Sequence, residues 1–303
     1  MSNALYDIIT DKIVNMLDKG EIPWRKPWAV TGGAVSHTTG RKYSLLNQIL
    51  LLDEGEGMDD IATRGREFLT FNQIKVEGGS IRKGERSKMV VFWKIYRHEV
   101  KGLDGKPVLN TQGEPLMEST PVLRYFNVWE VSQCEGIERK YEQKRDDSLK
   151  PVKEAERIVK EYFAREACTL EIKESDRAFY NPVRDLVHVP QLSQYEEVSE
   201  YYSTLFHEMT HSTGHPSRCN RKVTGIAAFG SESYSKEELV AEMGAAFLSN
   251  TAGVDTEKAF RNSAAYIQGW SRKLREDKRL FVNAAAKAEA AVNYILGANN
   301  NNN

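Results

Sequence analysis

Phe206-His207-Glu208-Met209-Thr210-His211 carries the pattern H-E-x-x-H. On a helix, residues i and i+4 share a face, so two imidazoles at this spacing can reach one cation. The Glu beside the first His can then act as general base towards a water activated at that cation. Zinc suits such a site because it accepts imidazole nitrogen and lowers the pKa of water towards neutrality. His207 and His211 are therefore candidate metal ligands, and Glu208 is the candidate catalytic base.

A catalytic zinc needs a third protein ligand and one open position. Downstream, Lys236-Glu-Glu-Leu-Val-Ala-Glu-Met-Gly-Ala-Ala-Phe-Leu248 reads as a helix with an apolar face built from Leu239, Val240, Met243, Ala246 and Phe247. Glu238 and Glu242 are one helical turn apart and share a face. This resembles the acid spacing of gluzincin-type enzymes, where the first acid binds metal and the second accepts the Nδ1 proton of a ligand His. The expected set is His207, His211 and Glu238, with Glu242 behind a ligand His; Glu242 as the ligand is the alternative. His215 competes, since it lies four residues past His211, but Gly214 and Pro216 flank it and end the helix there. Zn²⁺ is the expected ion, and a His₂Glu site also accepts Mn²⁺ or Co²⁺. Without a metal, the same residues would form a buried salt-bridge cluster, which is costly unless fully paired.

These residues need helices to hold them. A long helix is expected from about 195 to 213 and another from 235 to 250, with further helices at 151–167, 256–275 and 278–296. Short strands are expected near 169–172 and 185–190. The stretch 178–190 could be an edge strand lying along a peptide substrate, or a plain structural hairpin. Tyr234 is a candidate oxyanion stabiliser or a packing residue. The first half has an amphipathic helix with Leu5, Ile8, Ile9, Ile13, Met16 and Leu17 on one face, ended by Gly20. Helices at 44–53 and 70–75 follow, then strands at 88–96 and 123–131, with a hairpin tip or insertion at 102–107. The fold class is α+β. The polar run 136–151 divides the chain, giving domains at 1–140 and 151–298, a linker at 141–150 and an Asn tail at 299–303.

Composition narrows the function. Hydrophobic residues make up 40% and charged residues 28%, as in a globular protein. No apolar run is long enough to cross a membrane, and the N-terminus lacks a secretory signal pattern, so a cytoplasmic protein is expected. The three Cys are far apart, which argues against a disulfide framework. With 42 Lys+Arg against 43 Asp+Glu the chain is not a globally basic nucleic-acid binder, but a local basic patch is allowed.

Such a patch exists. From Ile22 to Leu52 there is no acidic residue, while Arg25, Lys26, Arg41 and Lys42 alternate with Trp24, Trp28 and Tyr43. A second cluster holds Arg82, Lys83, Arg86, Lys88, Lys94 and Arg97 with Phe92, Trp93 and Tyr96. Cations track phosphates and aromatic rings stack on unpaired bases, which is what a sequence-tolerant single-strand binder needs. The plain alternative is aromatic core residues beside ordinary surface charge.

The chain resembles the ArdC-type antirestriction proteins of conjugative plasmids. The segments that carry the resemblance are Leu5 to Ile13, Gly20-Glu-Ile-Pro-Trp-Arg-Lys-Pro-Trp28, Tyr43-Ser-Leu-Leu-Asn47, Phe68-Leu-Thr-Phe-Asn-Gln73 and Tyr125-Phe-Asn-Val-Trp129. In the second half they are His207 to Arg221 and Glu237 to Phe247. The resemblance implies an N-terminal domain that binds single-stranded DNA, a C-terminal zincin-like metallopeptidase domain, and shielding of incoming plasmid DNA from host restriction. Three functions compete. The first is a zinc metallopeptidase acting on a restriction component or another DNA-bound protein. The second is a non-enzymatic single-strand coat with a structural metal. The third is a DNA-tethered protease that digests crosslinked protein, helped by high local concentration.

Overall fold

The computed structural model describes residues 2–25, 33–52, 66–102, 104–141, 151–221, 232–254 and 264–298. Most of the expected linker, the Asn tail, Lys26 and Trp28 lie outside the described residues, as does the side chain of Tyr234. The architecture is α+β, as the residue patterns indicate.

Helix α1 (Ser2–Asp18) buries Leu5, Ile9, Ile13, Met16 and Leu17, and Gly20 closes it at φ +85°. Short helix α2 (Leu45–Leu50) starts at Ser44 and is followed by α3 (Phe71–Val76), which carries a reciprocal Thr70/Gln73 capping box. A four-stranded sheet in the order β1-β2-β5-β4 uses β1 (Ala34–Ser36), β2 (Arg66–Thr70), β4 (Lys88–Glu99) and β5 (Met117–Glu130). Strands β3 (Ser80–Ile81) and β6 (Cys134–Glu135) make a small separate pair.

Helix α2 covers the sheet and seals two of its strands. The Asn47 side chain donates to Val91 O and accepts from Val91 N, each at 2.7 Å. Gln48 does the same for Ala34, at 2.9 Å and 2.7 Å. Each amide thus stands in for a neighbouring strand at β4 and β1, the two ends of the sheet, where unpaired backbone groups invite association.

The hairpin β4–β5 pairs from Lys88↔Val128 to Glu99↔Met117. Its tip is longer than the expected 102–107 turn. Bridges at Lys101↔Pro107 and Leu109↔Pro115 show that the segment folds back on itself before β5 begins.

In the second half, α4 (Pro151–Arg165), α5 (Val198–Ser212), α6 (Glu232–Ala252), α7 (Ala264–Glu276) and α8 (Leu280–Ile295) pack around a three-stranded sheet. The sheet order is β7-β9-β8, with β7 (Thr169–Ile172), β8 (Phe179–Asn181) and β9 (Leu186–Val189). The stretch 178–190 is a hairpin rather than one edge strand. Asp185, at φ +47°, sits in its turn, and β9 lies in the middle of the sheet, which leaves β8 as the edge.

The largest apolar cluster spans the polar division of the chain. Leu5, Ile9, Ile13 and Leu17 of α1 share it with Leu239, Val240 and Met243 of α6, Leu274 of α7 and Phe281 of α8. Polar contacts follow the same path. Thr10 Oγ1 donates to Lys278 O at 2.9 Å, and Arg275 pairs with Asp18 at 2.6 Å. At roughly 1.5–3 kcal/mol per fully buried aliphatic side chain, α1 contributes substantially to the stability of the helices around the candidate site.

Candidate metal centre and nucleic-acid surface

Helix α5 is amphipathic around the metal motif. Tyr201, Tyr202, Leu205, Phe206 and Met209 are buried, while His207 and His211 lie half-buried on the other side. Helix α6 packs along it at close range. A Cβ added to Gly244 would lie 2.5 Å from Thr210 Cγ2, so glycine is what allows this approach. Beyond α5, the buried Arg218 guanidinium donates to Ser212 O at 2.7 Å and pairs with Asp185, which ties the helix end to the β8–β9 turn.

The packing brings His207, His211 and Glu238 together. The Nε2 atoms of the two histidines are 3.1 Å apart, and Glu238 lies 3.5 Å from His207 Nε2 and 3.4 Å from His211 Nε2. Tetrahedral bonds of about 2.0–2.1 Å place neighbouring ligand atoms about 3.3 Å apart, so the triangle has the size a zinc-like ion requires. Among the described residues these three form the only such cluster. His215 is outside it, and its Nδ1 contacts Ser217 Oγ at 2.8 Å.

Glu208 is buried beside the cluster. Burial alone would lower the His211 pKa, but hydrogen bonding to Glu237 and Glu238, with the Glu208 and Glu238 charges, raises it to about 10. Burial pushes Glu238 up, but His207 and His211 overcome it and hold the carboxyl well below the usual range.

Glu242 does not take the expected place behind a ligand His. It accepts a hydrogen bond from Tyr266. The carboxylate found near His211 Nδ1 is Glu237, at 3.6 Å. Glu237 is held by Arg221, whose guanidinium donates to it at 2.7 Å, to Thr213 Oγ1 at 2.7 Å and to Thr210 O at 2.7 Å. Burial raises the Glu237 pKa, but His211 and Arg221 lower it further. One-turn spacing singles out Glu238 and Glu242 and gives no signal for Glu237, the residue directly before Glu238. Nothing in the spacing announces Arg221, because it lies beyond the end of α5, outside any helical repeat shared with Glu237.

The basic and aromatic residues of the first half separate. Trp24 is not at a DNA surface. It is fully buried, with Trp270 at 6.4 Å and Phe281 at 5.9 Å between ring centroids. Arg25 ends the 3-10 turn Pro23–Arg25, and its side chain is outside the description. Arg41 and Lys42 are exposed. Tyr43 is half-buried edge-on to Phe68, and burial pushes its phenol up to about 12. Arg82 and Lys83 are exposed just after β3.

Comparison with known proteins gives these features a family. One family profile, described as the N-terminal domain of anti-restriction factor ArdC, matches residues 3–129. Another, described as a zincin-like metallopeptidase, matches residues 155–287. The crystal structure of metal-free antirestriction ArdC protein from plasmid R388 is 30% identical, with a TM-score of 0.66 over 96% of each chain. The chain belongs to the ArdC antirestriction family. The Mn(II)-bound ArdC structure from R388 matches with 28% identity and a TM-score of 0.66, covering 98% of this chain and 99% of that one. DNA primase TraC of Escherichia coli is 31% identical over 98% of this chain, which spans only 27% of that protein's length. Among the described residues of this ArdC-family chain, no helix is long and apolar enough to cross a membrane.

Proposed function

We propose that this chain is an antirestriction protein that binds single-stranded DNA with its first half and carries a zinc-type metallopeptidase site in its second. Its role is to protect incoming conjugative plasmid DNA from host restriction. The donor triangle of His207, His211 and Glu238 carries the metallopeptidase part of this reading. Three donors from the described residues leave a fourth tetrahedral corner open, as catalytic zinc sites do. A divalent ion held there would supply Lewis acidity and make water acidic enough to deprotonate near neutral pH. In this reading Glu208, whose charge acts on His211, takes that proton as general base, and Glu237 orients His211 through Nδ1. The Mn(II)-bound relative supports a divalent ion in such a site, with zinc as the expected native metal and Co²⁺ also compatible. The peptide substrate would be a restriction component or another protein bound near the DNA.

The test is transfer of a plasmid encoding Glu208→Ala into restricting and non-restricting recipients. Protection should disappear while anisotropy binding to single-stranded DNA stays unchanged. Full protection by Glu208→Ala would exclude proteolysis and leave the DNA-coating reading.

A further inference from the structure

Past the point where the sheet leaves the protein body, the β4–β5 ribbon keeps its pairing but loses its cover. Val90 and Val128 still belong to a buried cluster with Phe68. By the strand register, the same face continues with Phe92, Lys94 and Tyr96 on β4 and Arg124 and Phe126 on β5. Phe92 is 37% exposed and Phe126 53% exposed. Their rings stack on each other at 4.8 Å and 8°, and both stay partly exposed. Next to them, Arg124 donates to Tyr96 Oη at 2.7 Å, and Lys94 Nζ lies 5.0 Å from the Tyr96 ring centre.

The charge in the middle of this ribbon is one-sided, with Glu99, Glu118 and Glu130 confined to its ends. Residues 88–98 and 119–129 contain no Asp or Glu and hold Lys88, Lys94, Arg97 and Arg124. Lys94 and Arg124 have no carboxylate partner among the described residues; both spend their charge on the Tyr96 ring. Exposed ring faces interleaved with unpaired cations fit a ligand that offers flat π-surfaces and regularly spaced anions together. Unpaired bases on a phosphodiester chain do so, whereas a duplex hides its base faces. An acidic protein would match the cations but not the stacked rings.

We infer that the β4–β5 face bearing Phe92, Phe126, Tyr96, Lys94 and Arg124 is the platform on which single-stranded DNA stacks. The inference rests on the DNA-binding reading above and locates it on this ribbon rather than around Trp24. The two rings take bases, while Lys94 and Arg124 neutralise the phosphates beside them.

The experiment measures fluorescence anisotropy of the full chain with a labelled oligothymidine and with an abasic oligonucleotide of equal length, across a salt series. Wild type should bind oligothymidine and lose affinity for the abasic strand. Phe92→Ala/Phe126→Ala should bind oligothymidine about tenfold or more weakly and show little further loss on the abasic strand. Lys94→Gln/Arg124→Gln should flatten the salt dependence by about 1.4 in log–log slope. This second variant removes no ring contact from the core, so it decides the matter even if the first folds poorly. Wild-type binding with unchanged affinity and slope in both variants overturns the placement and spares the DNA-binding reading. Absence of wild-type binding overturns both. A dimer that the variants abolish while DNA affinity is kept assigns the ribbon to a second copy and overturns the inference.

Discussion

Glu237 lies 3.6 Å from His211 Nδ1, while the next residue, Glu238, lies 3.4 Å from His211 Nε2. Two consecutive glutamates thus address the two nitrogens of one imidazole. Arg221 fixes the first of them. Partners of this kind set the orientation of a metal-ligating ring. Arg221→Ala should therefore weaken metal affinity by about 10–100-fold without removing any ligand. Glu237→Gln, which keeps an acceptor, should lose less. Competition with a chromophoric chelator reads both. Wild-type affinity in Arg221→Ala would show that Glu237 and His211 hold their positions unaided.

The raised His211 pKa makes metal uptake proton-linked. With a folded value of about 10, His211 carries a proton at pH 7 in metal-stripped protein, and a cation must displace it. Titrating zinc in two buffers of different ionisation enthalpy should show release of about one proton. The sign for stability follows from the same shift. The folded pKa is above the ordinary 6.5, so the contribution is complete below about pH 6.5 and is lost as pH rises through about 10. Metal-stripped protein should lose stability over that window. Buffer-independent heats of binding would contradict this.

How much of this was legible in the residues depends on distance along the chain. His207 and His211 could be read because a helix converts spacing into a shared face, and one-turn acid spacing points to Glu238 on the next helix. Arg221 could not, because it lies beyond the end of α5, outside any helical repeat shared with Glu237. Composition showed that aromatic and basic residues alternate in the first half, but not which side of the protein they face. Trp24 and Phe92 look alike in sequence, yet one is fully buried between Trp270 and Phe281 and the other lies on a ribbon beyond the core. The alternation rule for half-buried strands fails there, since Phe92 and Trp93 are both exposed.

Gly244 sets how close α5 and α6 can come, and so the separation between the histidines and Glu238. Alanine would gain roughly 1 kcal/mol of helix propensity. Its Cβ would meet Thr210 Cγ2 at 2.5 Å and Oγ1 at 2.6 Å, and overpacking of this kind costs roughly 1–3 kcal/mol. Thr210 directly precedes His211, so the strain is resolved by spreading the ligands. Gly244→Ala should lower both stability and metal affinity, and Thr210→Ala in the same chain should restore part of each. The double-mutant cycle, read by denaturant melts and chelator competition, fails to support this if the two changes simply add.

Trp24 lies among cations in the sequence, but its ring belongs to the core shared by both halves of the chain. Trp24→Ala should therefore destabilise the protein by roughly 3–5 kcal/mol, as removal of a buried aromatic side chain does. The loss should reach the metal centre as well, because Trp24 shares its cluster with Leu239, Val240 and Met243 on the helix that carries Glu238. Trp24→Phe should retain most of the stability. In both variants the affinity of the folded fraction for single-stranded DNA should stay near wild type. Urea melts give the first quantity, and anisotropy under strongly native conditions gives the second. A Trp24→Ala protein with wild-type stability and no DNA binding would return this residue to the nucleic-acid surface.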